Sequence, residues 1–159
     1  MNSNQHYQTM LVAPFGILGI QIAADTLIAI DLLDRPSKKI PTHDPIAKEV
    51  CQQLKAYFAD PSVHFDVPIR LDGTSYQKKV WHALTKIPVG KPLSYGALAQ
   101  RLQSGARAIG GACRANPIPI VVPCHRVVAK SGVGGYMGYS LGRGVDMKRW
   151  LLRHEGYNL

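Results

Sequence analysis

Cysteine is scarce in this chain. Three occur in 159 residues, Cys51, Cys113 and Cys124, an odd number with no CxxC spacing, which argues against a disulfide scaffold and against a cysteine-rich zinc site. Long apolar runs are missing too. None approaches the roughly 20 residues that a bilayer span requires, and the opening MNSNQHYQTM lacks the positive start and apolar core of a secretory signal. The expected setting is the cytoplasm, a reducing compartment, with no membrane partner. The glycine-rich stretch from Ser131 to Gly144 fails the dinucleotide fingerprint GxGxxG, because Met137 stands where the third glycine after Gly132 and Gly134 would fall. A flap or binding loop is expected there.

Acidic residues are also nearly absent from one half. Residues 74 to 159 hold thirteen Lys or Arg against two Asp or Glu, a balance of +11, whereas residues 1 to 73 hold six against eight, a balance of −2. Basic charge gathered in one half suits a polyanion, because neutralising phosphates releases condensed counterions. A generically soluble basic surface is the plainer alternative. An apolar share of 46% with 18% charged residues is that of a globular chain, long enough for one core or two small ones.

From Met10 to Leu33, Ile, Leu, Val and Ala are punctuated by Pro14, Gly16, Gly19 and Asp25, which predicts two or three short strands in a small antiparallel sheet. Prolines 36, 41 and 45 mark a surface loop over 35–45. A helix follows over 46–58, with Ile46, Val50, Leu54, Tyr57 and Phe58 on one face, Cys51 beside that stripe and Asp60-Pro61 ending it. The segment 65–69 is extended, and a domain boundary is expected at Gly73, separating 1–73 from 74–159. Thr74 with Gln77 has the form of a capping box for a helix carrying Tyr76, Val80, Trp81 and Leu84. Ser94 and Ser104 are expected N-caps of two short helices, the second over 106–115, with the tight junction of a helix-turn-helix. In that second helix Arg107, Gly110, Gly111 and Arg114 recur at i, i+3, i+4, i+7. Mid-helix glycines cost about 1 kcal/mol each relative to alanine, so close approach to another surface is implied, either nucleic acid or a neighbouring helix. A last helix places Met147, Trp150, Leu151 and His154 on one face, before Glu155 and Gly156.

The segment Ile118-Pro-Ile-Val-Val-Pro-Cys124-His125-Arg126-Val-Val128 sets a thiol beside an imidazole between apolar flanks. The thiolate is the nucleophile, and a neighbouring base or cation makes it available; His125 and Arg126 can supply either. Read alone, a buried structural cysteine is the commoner case.

Four stretches together resemble one family, the O6-alkylguanine-DNA alkyltransferases: PVGKPLSYGALA at 88–99, RAIGGACRANPIPIVVPCHRVV at 107–128, WLLRHEG at 150–156 and, more loosely, FDVPIRLDGTSYQKKVW at 65–81. The resemblance implies an α/β (α+β) chain, with a small RNase H-like N-terminal sheet and helix serving as scaffold, then a mainly helical, winged-helix-like domain that binds DNA and transfers the alkyl group. It implies that damaged guanine is flipped from double-stranded DNA and its O6-alkyl group moved irreversibly to Cys124, with O4-alkylthymine a poorer substrate. Each molecule then acts once, without cofactor. Some relatives hold an N-terminal zinc, but Cys51 with scattered His6, His43 and His64 makes no such set, so no metal is expected.

The resemblance also assigns roles. His125 reaches Cys124 through a water and Glu155 orients His125, a carboxylate partner favouring the imidazolium, which stabilises the thiolate. Tyr95 donates a hydrogen bond to the flipped guanine, whose edge is read by backbone groups of Cys124, Val127 and the loop at Tyr136 and Met137. Arg107 fills the gap in the base stack. Ala106, Ala108, Gly110 and Gly111 let the helix approach the minor groove, and Arg114 contacts phosphate, so recognition is largely independent of sequence. Asn116 ties the turn after this helix to the active site. The expected form is a monomer, with cooperative binding on DNA left open. Two rivals remain from the residues themselves: a cysteine hydrolase or acyltransferase, and a non-catalytic winged-helix DNA binder.

Overall fold

The structure, a computed structural model, describes residues 7–33, 42–135 and 142–158. Most of the expected loop over 35–45, and both Tyr136 and Met137, lie outside the described residues. The chain divides into two compact units, residues 1–71 and 72–159.

In the first unit, β1 (Thr9–Ala13), β2 (Gly16–Ala23) and β3 (Thr26–Leu33) form an antiparallel sheet in the order β1-β2-β3. The β2–β3 turn places Ala24 (φ 49°) and Asp25 (φ 59°) in the left-handed region, as a two-residue hairpin needs if its twist is to match that of the strands. Leu18, Ile20, Leu27 and Ile30 are buried on the sheet. They meet α1 (Pro45–Ala59), which buries Ala47, Val50, Leu54 and Tyr57. Its first turn is capped by Asp44, whose Oδ1 accepts from the amides of Ile46 at 2.8 Å and Ala47 at 3.0 Å. Gly19 is not the turn residue expected from sequence. It sits inside β2 under the Tyr7 ring, where a Cβ would stand 2.6 Å from the ring carbons.

The second unit opens with α2 (Ser75–Leu84), and its capping box is formed: Gln77 N donates to Thr74 Oγ1 at 3.0 Å and Thr74 N to Gln77 Oε1 at 2.9 Å. β4 (Leu93–Ser94) leads into α3 (Tyr95–Arg101), capped by Ser94, and a tight turn joins α3 to α4 (Ala106–Arg114), giving the helix-turn-helix. Gly105, not Ser104, is the N-cap of α4, with no side-chain cap bond. The Ser104 hydroxyl is engaged elsewhere, 2.6 Å from the Tyr76 hydroxyl on α2. Trp81 of α2 donates through Nε1 to the carbonyl of Ala112 at 2.8 Å, fixing α4 to the core.

After α4 the chain runs to a single 3₁₀ turn, Cys124–Arg126, and to β5 (Val127–Val128), which pairs in parallel with β4. The last helix, α5 (Arg143–His154), buries Gly144, Val145, Met147, Lys148, Leu151 and Leu152. Its inward face is therefore turned from the expected one. Trp150 and His154 are only half-buried and stack on each other, with ring centroids 4.6 Å apart. The architecture is a small N-terminal sheet with a helix, followed by a mostly helical C-terminal region. Among the described residues no helix is long and apolar enough to cross a membrane.

Candidate active site

Three segments of the second unit converge on Cys124. The first is the turn after α4. Asn116 is buried, donates through Nδ2 to the carbonyl of Val122 at 2.8 Å and accepts through Oδ1 from Ile118 N at 3.0 Å. Between these anchors Ile120 adopts φ 74°, a conformation β-branched residues avoid, so the turn is held against local preference by its hydrogen bonds. The Val122 carbonyl also receives the Cys124 amide at 2.8 Å. Asn116 thus sets the point from which the 3₁₀ turn starts, with the Cys124 side chain buried.

The second segment is the end of α5. Glu155 follows the last helical turn and is buried, with Oε2 2.9 Å from His125 Nε2. Arg126 reaches the same carboxylate from the other side, Nε to Oε1 and a terminal nitrogen to Oε2, both at 2.9 Å, while its other nitrogen donates to the Ile87 carbonyl at 2.8 Å. This two-pronged ion pair spends most of the Glu155 charge on Arg126. His125 is wholly buried, and burial, opposed by Glu155 but assisted by Arg126 and Lys148, holds its pKa below the ordinary 6.5. Burial thus works against the imidazolium that Glu155 favours. His125 Nδ1 is buried with no hydrogen-bond partner among the described residues. A buried nitrogen left so costs about 1–3 kcal/mol.

The third segment carries Tyr95 and Lys148. Tyr95 opens α3, and among the described residues its hydroxyl makes only long bonds, donating to the Gly135 carbonyl at 3.4 Å and accepting from Lys148 Nζ at 3.4 Å. Burial, then the negative charge of Cys113 and Cys124 when ionised, pushes the phenol up to about 12, so it stays a donor. Lys148 was not among the residues singled out from sequence. It is fully buried, donates to the carbonyls of Val127 at 2.7 Å and Gly135 at 3.0 Å, and lies 5.5 Å from the Tyr95 ring centre. Burial draws its pKa down to about 8, against the pull of Cys124 and Cys113. The helical spacing carried the signal: Lys148 stands four residues after buried Gly144 and three before Leu151. The loop crosses Tyr95 at Gly134 (φ 78°), where a Cβ would meet the ring at 3.0 Å, so only glycine fits.

Ala106, Arg107, Ala108, Gly111 and Arg114 are exposed on α4 and Gly110 is half-buried, while Ile109, Ala112 and Cys113 face the core. Among the described residues, a Cβ built on Gly110 or Gly111 meets nothing within 4 Å. Close packing against another described helix is thereby removed as the reason for these glycines.

The family profile described as 6-O-methylguanine DNA methyltransferase, DNA binding domain, matches residues 75–157. The methylated-DNA–protein-cysteine methyltransferase of Methanosarcina mazei is 42% identical over 137 residues, covering 82% of this chain and 84% of its own length. This chain belongs to the methylated-DNA–protein-cysteine methyltransferase family. The Mycobacterium tuberculosis enzyme of that name is 41% identical across 94% of this chain and 92% of its own. In solved structures, the crystal structure of Mycobacterium tuberculosis OGT in complex with DNA superposes with a TM-score of 0.77 at 40% identity, covering 92% of this chain and 90% of that one. An O6-methylguanine DNA methyltransferase from Methanococcus jannaschii gives 0.67 at 30% identity, covering 94% of each chain. Of the residues expected from sequence to line a methyltransferase site, Tyr95, Asn116, Cys124, His125, Val127 and Glu155 all lie in the second unit, and the six on α4 form one outward strip. Tyr136 and Met137 lie outside the described residues.

Proposed function

We propose that this chain repairs alkylated DNA with Cys124 as the acceptor. It is a DNA-repair alkyltransferase that moves an alkyl group from O6-alkylguanine to an active-site cysteine, and is consumed by doing so. The observation that carries the assignment of Cys124 is the buried sequence of groups around it: the thiol, an imidazole whose Nδ1 lacks a partner among the described residues, and a carboxylate 2.9 Å from the other ring nitrogen.

In this reading neutral His125 takes the thiol proton at Nδ1 through one water, and Glu155 holds the ring by its Nε2–H and offsets the charge it gains. The sulfur then displaces guanine from the alkyl carbon. The C–O6 electron pair leaves with the base, and the Tyr95 phenol stabilises the charge that grows there. A thioether sulfur is a poor leaving group, so the protein is not regenerated. Every reacting group comes from chain or substrate, and the reading calls for no cofactor or metal.

The flipped base rests between Tyr95 and the backbone of Cys124 and Val127, whose carbonyl Lys148 already steadies, with Tyr136 and Met137 contributing from the adjoining loop. Arg107 occupies the vacated place in the stack. Ala106, Ala108, Gly110 and Gly111 lie in the minor groove of duplex DNA, and Arg114 meets phosphate, which makes binding largely indifferent to sequence. The first unit acts as scaffold, the chain works as a cytoplasmic monomer, and O4-alkylthymine is a weaker substrate.

The decisive experiment incubates the protein with a duplex containing one O6-methylguanine and maps the peptides by mass. Gain of one methyl on the Cys124 peptide, one per molecule, is expected. Sustained release of an acid from an ester instead would point to a hydrolase, and normal repair by Cys124→Ser would remove the cysteine from the chemistry.

A further inference from the structure

We infer that Gly90 is a positioning residue for alkyl transfer: lacking a side chain, it lets the turn after α2 close against the main chain of Glu155, and so holds that carboxylate in register with His125. This rests on the proposed function, in which Glu155 steadies His125 as it takes the proton of the Cys124 thiol. Gly90 acts only through Glu155.

Beyond α2, Pro88-Val-Gly90-Lys91 form a turn in which Lys91 N donates to the Pro88 carbonyl at 3.3 Å. Gly90, third in that turn, has φ 78°, the left-handed conformation that favours glycine at this position of a tight turn. Space makes a separate demand. A Cβ at position 90 would stand 3.0 Å from the Glu155 carbonyl oxygen, whereas ordinary contact begins at 3.4 Å, so one of the two would have to give way by a few tenths of an ångström.

The same turn reaches the other end of Glu155. The Ile87 carbonyl accepts from Arg126 at 2.8 Å, and Arg126 grips the Glu155 carboxylate by two bonds of 2.9 Å. Main chain and side chain of Glu155 are thus both referred to residues 87–90, the first by contact and the second through Arg126. The end of α5 is itself tied down. Glu155 N donates to the Leu151 carbonyl at 3.0 Å, and the amides of Gly156 and Tyr157 donate to the carbonyls of Arg153 and Leu152 at 3.0 and 2.9 Å, so bonds brace the chain on either side of the carbonyl that a Cβ would strike. A push there, with the carboxylate held by Arg126, tilts Glu155 against His125. Their bond is 2.9 Å long, and such bonds weaken beyond about 3.2 Å. Glu155 raises the His125 pKa through this bond and through its charge; a displaced carboxylate lets that value fall and leaves a weaker base for the thiol proton.

The test compares wild type, Gly90→Ala, Glu155→Gln and the double variant across pH by two rates: alkylation of Cys124 by iodoacetamide, and transfer from a duplex with one O6-methylguanine. Misplacement by about 1 Å costs roughly 100-fold, so a few tenths in Gly90→Ala should slow both rates by about 3- to 10-fold and move the acid limb to lower pH. In the Glu155→Gln background the same alanine should cost roughly twofold at most, because residues that act through one another are not additive. Gly90→Asn, which tolerates positive φ but carries the same Cβ, should repeat the pattern with a smaller loss of stability. An equal loss from Gly90→Ala with and without the Glu155 carboxylate, or rates and acid limb unchanged in folded Gly90→Asn, overturns the inference, since the turn would then serve stability alone. Wild-type protein that reacts with iodoacetamide at Cys124 yet takes no methyl from the duplex would instead overturn the proposed function, and the iodoacetamide rates would still decide the part played by Gly90.

Discussion

At the scale of single residues, the protonation of His125 decides how the thiol is activated. Its pKa lies below 6.5 because burial and two nearby cations outweigh one carboxylate already shared with Arg126. A base works in its neutral form, and lowering the pKa extends that form to lower pH. The transfer rate should therefore stay level as pH falls through 6.5 and drop only below it; a decline that begins above that value would show the ring charged at rest. Replacing Arg126 with Met leaves Glu155 to His125 alone, so the acid limb should move toward neutral pH in a pH–rate profile. Lys148 gives a second test. With a folded value of about 8 against 10.5, the unfolded chain holds more protons between those values, so this group makes stability rise with pH across that window. Cys113, raised from 9.0 to about 12, acts oppositely above 9. Comparison isolates the lysine: the stability of wild type relative to Lys148→Met should increase from pH 8 toward 10.5, and a constant difference in chemical denaturation would refute the buried charge. Cys124, His125 and Glu155 were legible because the first two adjoin in sequence and a motif links the third. Lys148 was not, since a lysine in an amphipathic helix is usually read as solvent-facing, and only the helical phase of α5 points it inward.

At the scale of elements, α4 is a helix whose composition opposes its own stability. Two glycines stand where a Cβ meets nothing among the described residues, so Gly110→Ala or Gly111→Ala should stabilise the free protein by roughly 0.5–1 kcal/mol through helix propensity alone. The same methyl group stands on the face proposed for DNA, so affinity for duplex should fall as thermal stability rises. Loss of both together would mean that the glycines serve packing. Arg107 is exposed on that face, so Arg107→Ala should leave the unfolding midpoint in place, slow repair in duplex, and spare transfer from free O6-benzylguanine, which needs no extrusion. Helices and caps were readable where a local signal sufficed, as in the capping box of Thr74 with Gln77. Ser104 was misread because its hydroxyl prefers Tyr76, 28 positions away, and Gly19 because the Tyr7 ring that requires it comes from before β1. Tertiary partners of this kind leave no trace in local spacing.

At the scale of the whole molecule, the unit that holds Cys124 can be followed by itself, because both tryptophans, Trp81 and Trp150, lie in residues 72–159. A methyl on the Cys124 sulfur must fit where the side chain is already buried, beside a turn held by the Asn116 bonds and strained at Ile120. Overpacking of this kind costs about 1–3 kcal/mol, which for a unit of this size is a fall of roughly 4 °C or more in the unfolding midpoint. The midpoint read by tryptophan should drop after stoichiometric transfer, and it should drop further with a benzyl group than with a methyl. Asn116→Ala should lower the midpoint of the unmodified protein and narrow the further loss on methylation, because the turn that resists the added group has been released. An alkylated protein that unfolds at the same temperature as the free thiol would mean that the alkyl group enters open space, and that the buried turn around Cys124 does not sense its own modification.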